Sequence, residues 1–141
     1  MDDVVLALGR VFNGLLAGTY VAFLVAVMPA LHGQPDDVFV PVMNRINVVI
    51  VNPAFLALFL GAPALAAATL YWHRNPVVVG ALVAAVVAVL ITVVANVPLN
   101  DALAADGDRQ AFETPWLVWH SIRTVAATAA FVLLCLPRAT G

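Results

Sequence analysis

Long apolar runs dominate the chain, and four of them are long enough to cross a membrane as helices. They cover about residues 4–31, 46–72, 76–99 and 116–136. A helix needs about 20 residues to cross a hydrocarbon core of about 30 Å. Runs such as VVVGALVAAVVAVLITVVA are too long for a strand, and the alternation typical of membrane β-barrels is absent. The pattern predicts an all-α, integral membrane four-helix bundle, with residues 1–141 as a single domain.

The connections between the runs differ in length and divide the expected bundle into two ends. HGQPDDVFVPVMNR and NDALAADGDRQAFETP are long, whereas HRN is a tight turn. In a four-helix serpentine both long connections lie at one end, here called the elaborated end, and the turn and the termini lie at the minimal end. The minimal end has Arg10, Arg74 and Arg138, and the elaborated end has Arg45 and Arg109. The positive-inside rule then favours cytoplasmic termini.

Composition agrees with a membrane protein and argues against a nucleic-acid partner and an internal disulfide. Hydrophobic residues make up 64% of the chain and charged residues 10%, whereas soluble domains are about a quarter charged. A net charge of -2 gives no basic surface for a nucleic acid. The lone Cys135 excludes an internal disulfide. Because the chain begins MDD rather than with a basic region, we expect the first run to be a retained helix, not a cleaved signal peptide.

A stripe of small residues on the first helix indicates close helix packing. Gly14, Gly18 and Ala22 recur every four residues, a spacing that lets another backbone approach. We favour packing within the bundle, with a homo-oligomer as the alternative.

The third run ends in polar residues that an apolar segment does not need for folding. Thr92, Asn96 and Asn100 are spaced by four and share a helix face near the elaborated end. Pro98 lies between the two asparagines and frees a backbone carbonyl about one turn earlier. The carboxamides and this carbonyl therefore require polar neighbours.

The fourth run contains an ionisable pair at membrane depth. TPWLVWHSIRT predicts a helix that starts at Pro115 with Thr114 as its N-cap. Trp116, His120 and Arg123 then lie on one face, and the arginine lies roughly 10 Å below the tryptophan. Arginines at such depth usually face a bundle interior or a wet cavity. We expect bonds from its guanidinium to carboxamides or backbone carbonyls of the second and third helices.

Other helices are expected to contribute polar groups at the same level, which predicts a polar pocket below the elaborated end. The further candidates for ligand binding are Asn44, Asn47 and Asn52 in MNRINVVIVNP at the start of the second helix, Tyr20 and Met28 of the first, and Trp119 of the fourth. Two structural alternatives stay open. Asparagines also join helices at about 1 kcal/mol or less per bond, and tryptophans at this depth also form interfacial belts.

No metal or organic cofactor is predicted from the residues. The three histidines lie on different segments, H-x-x-x-H and C-x-x-C are absent, and no carboxylate lies within an apolar run. Haem or copper at His120, with Met28 and Met43 as further copper ligands, is a minor alternative.

Four blocks of sequence, in order, resemble the anthrone oxygenase-like family of small four-helix membrane proteins. They are AGTYVAFLVAVMPAL, NRINVVIVNPAFLALFLGAP, NVPLNDAL and WLVWHSIRT, so the resemblance covers nearly the whole chain. It implies oxidation of an anthrone to an anthraquinone by dioxygen without a dedicated organic cofactor. The positions that match the family's blocks are Asn47, Asn52, Pro53, Asn96, Asn100, Trp116, Trp119, His120 and Arg123.

This chemistry suits the candidate residues. An anthrone has an acidic benzylic C–H, and its anion is electron-rich enough to reduce dioxygen. The protein then needs an apolar slot, a base and donors for the oxyanion. We assign His120 as the base, we assign Arg123, Asn96 and Asn100 as oxyanion donors, and we assign Trp116 and Trp119 as stacking surfaces.

The expected partners are therefore a lipophilic aromatic molecule, dioxygen and the bilayer. The competing hypothesis is a non-enzymatic membrane protein that binds a lipid, quinone or haem, or an accessory subunit whose polar cluster is structural.

Overall fold

The computed structural model describes residues 1–136, and these form five helices and no strand. The helices are α1 (Asp2–His32), α2 (Asp36–Val49), α3 (Pro53–Trp72), α4 (Pro76–Asp106) and α5 (Arg109–Cys135). All but α2 are long and apolar enough to span a membrane. The predicted all-α fold with four spans is therefore confirmed. Arg138, which we counted at the minimal end, lies outside the described residues.

The four spanning helices pack in a closed ring. Both α1 and α4 pack against α3 and against α5. Alanines with no exposed surface, such as Ala62 and Ala88, allow this close approach. A Cβ atom at Gly14 would lie 3.0 Å from the Phe131 ring of α5, whereas one at Gly18 would meet nothing within 4 Å. The first position of the small-residue stripe thus packs inside the bundle.

Arg109 joins the two long connections. Its Nη1 donates to Asp36 Oδ1 at 3.0 Å, and its Nη2 donates to the His32 carbonyl oxygen at 2.8 Å. Its Nε donates to Glu113 Oε2 at 2.7 Å, and the other oxygen of Glu113 lies 2.6 Å from His32 Nδ1. Both connections therefore lie at one end of the bundle, as the serpentine predicts.

The predicted second helix is wrong at its start. Instead of one helix over 46–72, the chain forms α2, breaks at Ile50–Asn52 and begins α3 at Pro53. Asn52 is the N-cap of α3, because its Oδ1 accepts from the Phe55 N–H while its Nδ2 donates to the Val49 carbonyl, each at 3.0 Å. Asn44 and Asn47 consequently belong to α2 and not to a spanning helix.

The predicted start of the fourth helix is also wrong. Asp108 is the N-cap of α5, since its Oδ1 accepts from the Ala111 N–H at 3.0 Å. Pro115 therefore lies inside the helix, and Thr114 does not cap it. The preceding helix α4 continues beyond its predicted end to Asp106, where Gly107 takes the left-handed conformation (φ 67°) that stops it.

Two π-helical segments interrupt α1 and α4, at Phe23–Val27 and Thr92–Asn96. Each is followed closely by a proline, Pro29 or Pro98. A proline has no N–H to donate to the carbonyl of the residue four positions earlier, and its ring would clash with that carbonyl. In both helices, this earlier residue is the centre of the π segment. The wider π turn accommodates the missing hydrogen bond and the proline ring. It therefore accounts for the free carbonyl that the sequence predicts before Pro98.

Candidate functional site

Arg123 lies at the centre of the polar cluster. It is 8% exposed. Its Nε donates to His120 Nδ1 and its Nη1 donates to Thr92 Oγ1, each at 3.0 Å. Its guanidinium carbon lies 4.6 Å from the ring centroid of Tyr20 and 5.4 Å from that of Trp116. The prediction that it faces the interior is confirmed, but the predicted carboxamide and carbonyl partners are wrong, because an imidazole and a hydroxyl accept its bonds.

His120 is fully buried and stacks on Trp116, with ring centroids 4.6 Å apart and planes 12° from parallel. Because an arginine can only donate, Nδ1 of the imidazole must be the unprotonated nitrogen. The proton therefore lies on Nε2, which donates to the Tyr20 carbonyl oxygen at 2.9 Å. This arrangement holds a neutral imidazole between α1 and the guanidinium of Arg123.

Thr92 connects α1, α4 and α5 at the first residue of the second π segment. Its hydroxyl proton is donated to the Ala88 carbonyl at 2.8 Å, so its oxygen can only accept from other groups. It accepts from Arg123 Nη1, and it lies 3.4 Å from the Tyr20 hydroxyl, which is then the donor. The sequence placed Thr92 on the correct face but did not indicate this central position.

A cavity of about 100 Å³ adjoins this cluster. Its floor is polar and buried, and its rim is mainly apolar and partly exposed. The floor consists of Tyr20, Thr92, Trp116, His120 and Arg123. The rim consists of Thr19, Phe23, Asn47, Ile50, Val51, Phe55, Val97 and Asn100. Ligand pockets usually enclose roughly 300 to 1,000 Å³, so a tricyclic ligand has to displace rim side chains as it enters.

Three nitrogens at this pocket have no acceptor among the described residues. Asn47 Nδ2 is buried without a hydrogen-bond partner. Asn100 uses its Oδ1 to accept from Trp116 Nε1 at 2.8 Å, which leaves its Nδ2. Arg123 uses Nε and Nη1, which leaves Nη2. Buried donors are normally paired, so the buried Asn47 Nδ2 indicates a ligand that offers acceptor atoms, and the other two nitrogens are available to the same ligand.

Six of the predicted site residues line the pocket, namely Tyr20, Asn47, Asn100, Trp116, His120 and Arg123. Five do not. Asn96 is buried, donates through Nδ2 to a carbonyl of α5 at 3.2 Å and leaves Oδ1 without a partner. Asn44 likewise has an unpartnered buried Oδ1, and Asn52 caps α3. Met28 lies in an apolar cluster, and Trp119, 42% exposed, borders an apolar groove on the outer surface.

The aromatic surface of the pocket differs from the prediction. Trp116 is 2% exposed and stacks on His120, so it offers little area to a ligand. Phe23 and Phe55 on the rim are the rings with accessible area. Neither was predicted, because a phenylalanine in an apolar helix gives no sequence signal that separates a pocket rim from lipid contact.

A haem iron or copper ion at His120 would have to displace one of two existing hydrogen bonds of the imidazole. The proposed further copper ligands, Met28 and Met43, lie in the apolar cluster beside Trp116. Within residues 1–136, no group of three or more His, Cys, Asp or Glu side chains is placed to hold a metal ion.

Four helices long and apolar enough to cross a membrane indicate a multi-pass membrane protein, and a cavity lies between its helices beside one buried arginine. The family profile of anthrone oxygenase matches residues 39–133, and the chain therefore belongs to the anthrone oxygenase family. The matched region begins in α2 and includes His120 and Arg123, but not Tyr20 and Phe23 of α1. Searches of curated proteins and of solved structures returned no match.

Proposed function

We propose that the protein is a membrane-embedded oxygenase that converts an anthrone-like planar phenol to a quinone with dioxygen. One observation carries the proposal beyond family membership. Arg123 is buried at membrane depth beside a cavity with aromatic rims, and its guanidinium has no carboxylate partner among residues 1–136. Such a group stabilises an oxyanion where water is scarce.

The reaction balances with dioxygen as the only oxidant. Loss of a benzylic proton gives the enolate, whose carbon forms a bond to dioxygen and, after protonation, carries a hydroperoxide. The O–O bond then breaks, hydroxide leaves with the second benzylic hydrogen as water, and a new carbonyl remains. One oxygen atom enters the quinone and the other enters water. The substrate supplies all four electrons, so we propose that no flavin or nicotinamide is needed.

The pocket residues supply the groups that the first step requires. Arg123 Nη2 and Asn100 Nδ2 donate to the developing oxyanion. His120 is the proposed base, and its unprotonated Nδ1 currently accepts from Arg123 Nε. Nδ1 accepts the proton only after the guanidinium turns toward the substrate oxygen and withdraws its Nε–H from the imidazole. Phe23 and Phe55 hold the apolar faces of the ring system.

A binding protein for a lipophilic quinone is the second candidate. Both ring nitrogens of His120 are occupied and the cavity is small, as expected of a cluster that binds without reacting. Both candidates require the pocket, but only the oxygenase consumes dioxygen.

Oxygen uptake by the purified protein in phosphatidylcholine nanodiscs distinguishes the two candidates. With 1,8-dihydroxyanthrone and no added cofactor, we expect equal molar amounts of dioxygen consumed and quinone formed, faster than in empty nanodiscs. Arg123→Leu should lose this excess rate, while Arg45→Leu, a change at an exposed arginine of α2, should keep it. Because anthrones oxidise slowly in air, a wild-type rate equal to the empty-nanodisc rate would leave the binding protein ahead.

A further inference from the structure

The charge of Arg123 has no carboxylate counter-ion among residues 1–136. No carboxylate lies within 4.0 Å of its nitrogens among residues 1–136, whereas Arg109 pairs with both Asp36 and Glu113. Every Asp and Glu of the sequence is among the described residues. Charged groups at membrane depth usually pair with an opposite charge or with backbone carbonyls. Arg123 does neither.

No other group around the pocket supplies a negative charge. On α5, His120 is neutral, and on α1 the Tyr20 hydroxyl keeps its proton for Thr92. The α4 residues and the α2–α3 residues that line the pocket have no ionisable side chain. Asp101 follows Asn100 in the chain, but Asp101 is exposed and does not line the pocket. The pocket therefore carries one uncompensated positive charge.

We infer that the pocket binds its ligand as an anion, a lipophilic phenolate or enolate that supplies the missing counter-charge. The inference rests on the proposed function only for the planar shape of the ligand. Three observations support it together: the unpaired guanidinium, the unused donors of Asn47 and Asn100, and the apolar rim that admits a hydrophobic ring. An opposite charge within about 4–6 Å lowers the pKa of an acid by about 1–3 units, so the bound phenol ionises at lower pH than the same phenol in lipid.

A chromogenic phenol tests this directly. 2-Hydroxyanthraquinone changes colour on ionisation, and its titration midpoint is read in neutral phosphatidylcholine nanodiscs with and without the protein. We expect the wild-type protein to lower the midpoint by about 1–3 pH units relative to empty nanodiscs. Arg123→Gln should abolish the shift, Arg123→Lys should retain most of it because the charge stays, and Arg45→Gln should leave it unchanged.

A matched pair of ligands provides a measurement that does not depend on the folding of any variant. At a pH where the bound phenol is ionised, 2-methoxyanthraquinone should quench the wild-type tryptophan fluorescence with at least about tenfold weaker affinity than 2-hydroxyanthraquinone, the fold-change that corresponds to one pKa unit. Equal affinities, no saturable binding, or an unshifted midpoint would overturn the inference. So would an equal loss of the shift in Arg45→Gln, which would assign it to surface potential.

The inference and the oxygenase proposal fail separately. A shifted midpoint without oxygen uptake would support the anion site and reject the oxygenase. Oxygen uptake with an unshifted midpoint would do the reverse.

Discussion

Arg123 donates its Nε–H to Nδ1 of His120 across 3.0 Å, three residues earlier on the same helix. This bond fixes the imidazole tautomer, because the guanidinium has no acceptor and Nδ1 must present its lone pair. It also couples two proposed roles, since the group that binds the substrate oxygen covers the atom that accepts the substrate proton. In the proposed mechanism, binding and proton transfer are therefore linked through one side chain.

A change at His120 should alter both the rate and its pH dependence. If His120 accepts the proton, His120→Ala should slow turnover by about 10²–10⁴-fold, the usual contribution of general acid–base catalysis. The imidazole must be neutral to act as a base, so the wild-type rate should fall at acidic pH once the imidazole becomes protonated. Oxygen uptake between pH 4 and 9 measures both effects. A His120→Asn protein that keeps the wild-type rate and the same acidic limb would exclude His120 as the base.

Asn100 and Asn96 should differ although they lie one turn apart on α4. Asn100 lines the pocket with a free Nδ2, whereas Asn96 lies outside it and bonds to a carbonyl of α5. Loss of one oxyanion donor costs about 10²–10³-fold in turnover, which we expect for Asn100→Ala. Asn96→Ala should lower the free energy of unfolding by about 1 kcal/mol or less with little change in turnover. Equal changes in turnover for the two variants would contradict a distinct role for Asn100.

Asn52 and Asn75 form a matched pair of helix caps. Each precedes a proline, and each accepts through Oδ1 from the N–H three residues later at 3.0 Å. Replacement of either by alanine should reduce stability by about 0.5–2 kcal/mol, the usual contribution of an N-cap. Only Asn52 borders the break beside the pocket, so only Asn52→Ala should also reduce turnover. Thermal unfolding in detergent and oxygen uptake on the same samples make the comparison.

Single cysteines test the orientation in a Cys135→Ser background. Gly33 and Asp106 lie in the two connections at the elaborated end, and His73 lies in the turn at the minimal end. With cytoplasmic termini, a membrane-impermeant maleimide applied to intact cells should label Gly33→Cys and Asp106→Cys but not His73→Cys. The opposite pattern would reverse the orientation. Labelling of Gly33→Cys and Asp106→Cys from opposite sides would contradict the four-span topology.

The spans could be predicted from the sequence because the bilayer sets a length and a polarity that four runs satisfy. The helix boundaries were harder. Ile50 and Val51 are as apolar as the span that follows, so the break before Pro53 was hidden in a hydrophobic run. Pro115 is compatible with a helix start but also with the interior of α5. The helix begins earlier, at Arg109, because Asp108 caps it there.

Some of the pocket residues could also be predicted from the sequence, again because of the polarity of the bilayer. Polar groups at membrane depth are costly, so Arg123, His120 and Asn100 were visible as candidates. Phe23 and Phe55 were not, because their sequence neighbours are equally apolar. The π segments depend on how α1 and α4 relax around Pro29 and Pro98 within the packed bundle, which residue spacing does not specify.

The break between α2 and α3 places part of the pocket rim next to the first residue of α3. The 20 residues of α3 span about 30 Å, the thickness of the hydrocarbon layer. Ile50 and Val51 at the pocket rim therefore lie at the boundary of that layer, and Val51 is 62% exposed. We expect the proposed substrate to enter the pocket from the lipid beside this boundary, so its effective concentration would be moles per mole of lipid. At a fixed bulk amount of substrate, we therefore expect added lipid or detergent to dilute the substrate within the membrane phase and to lower the rate of turnover.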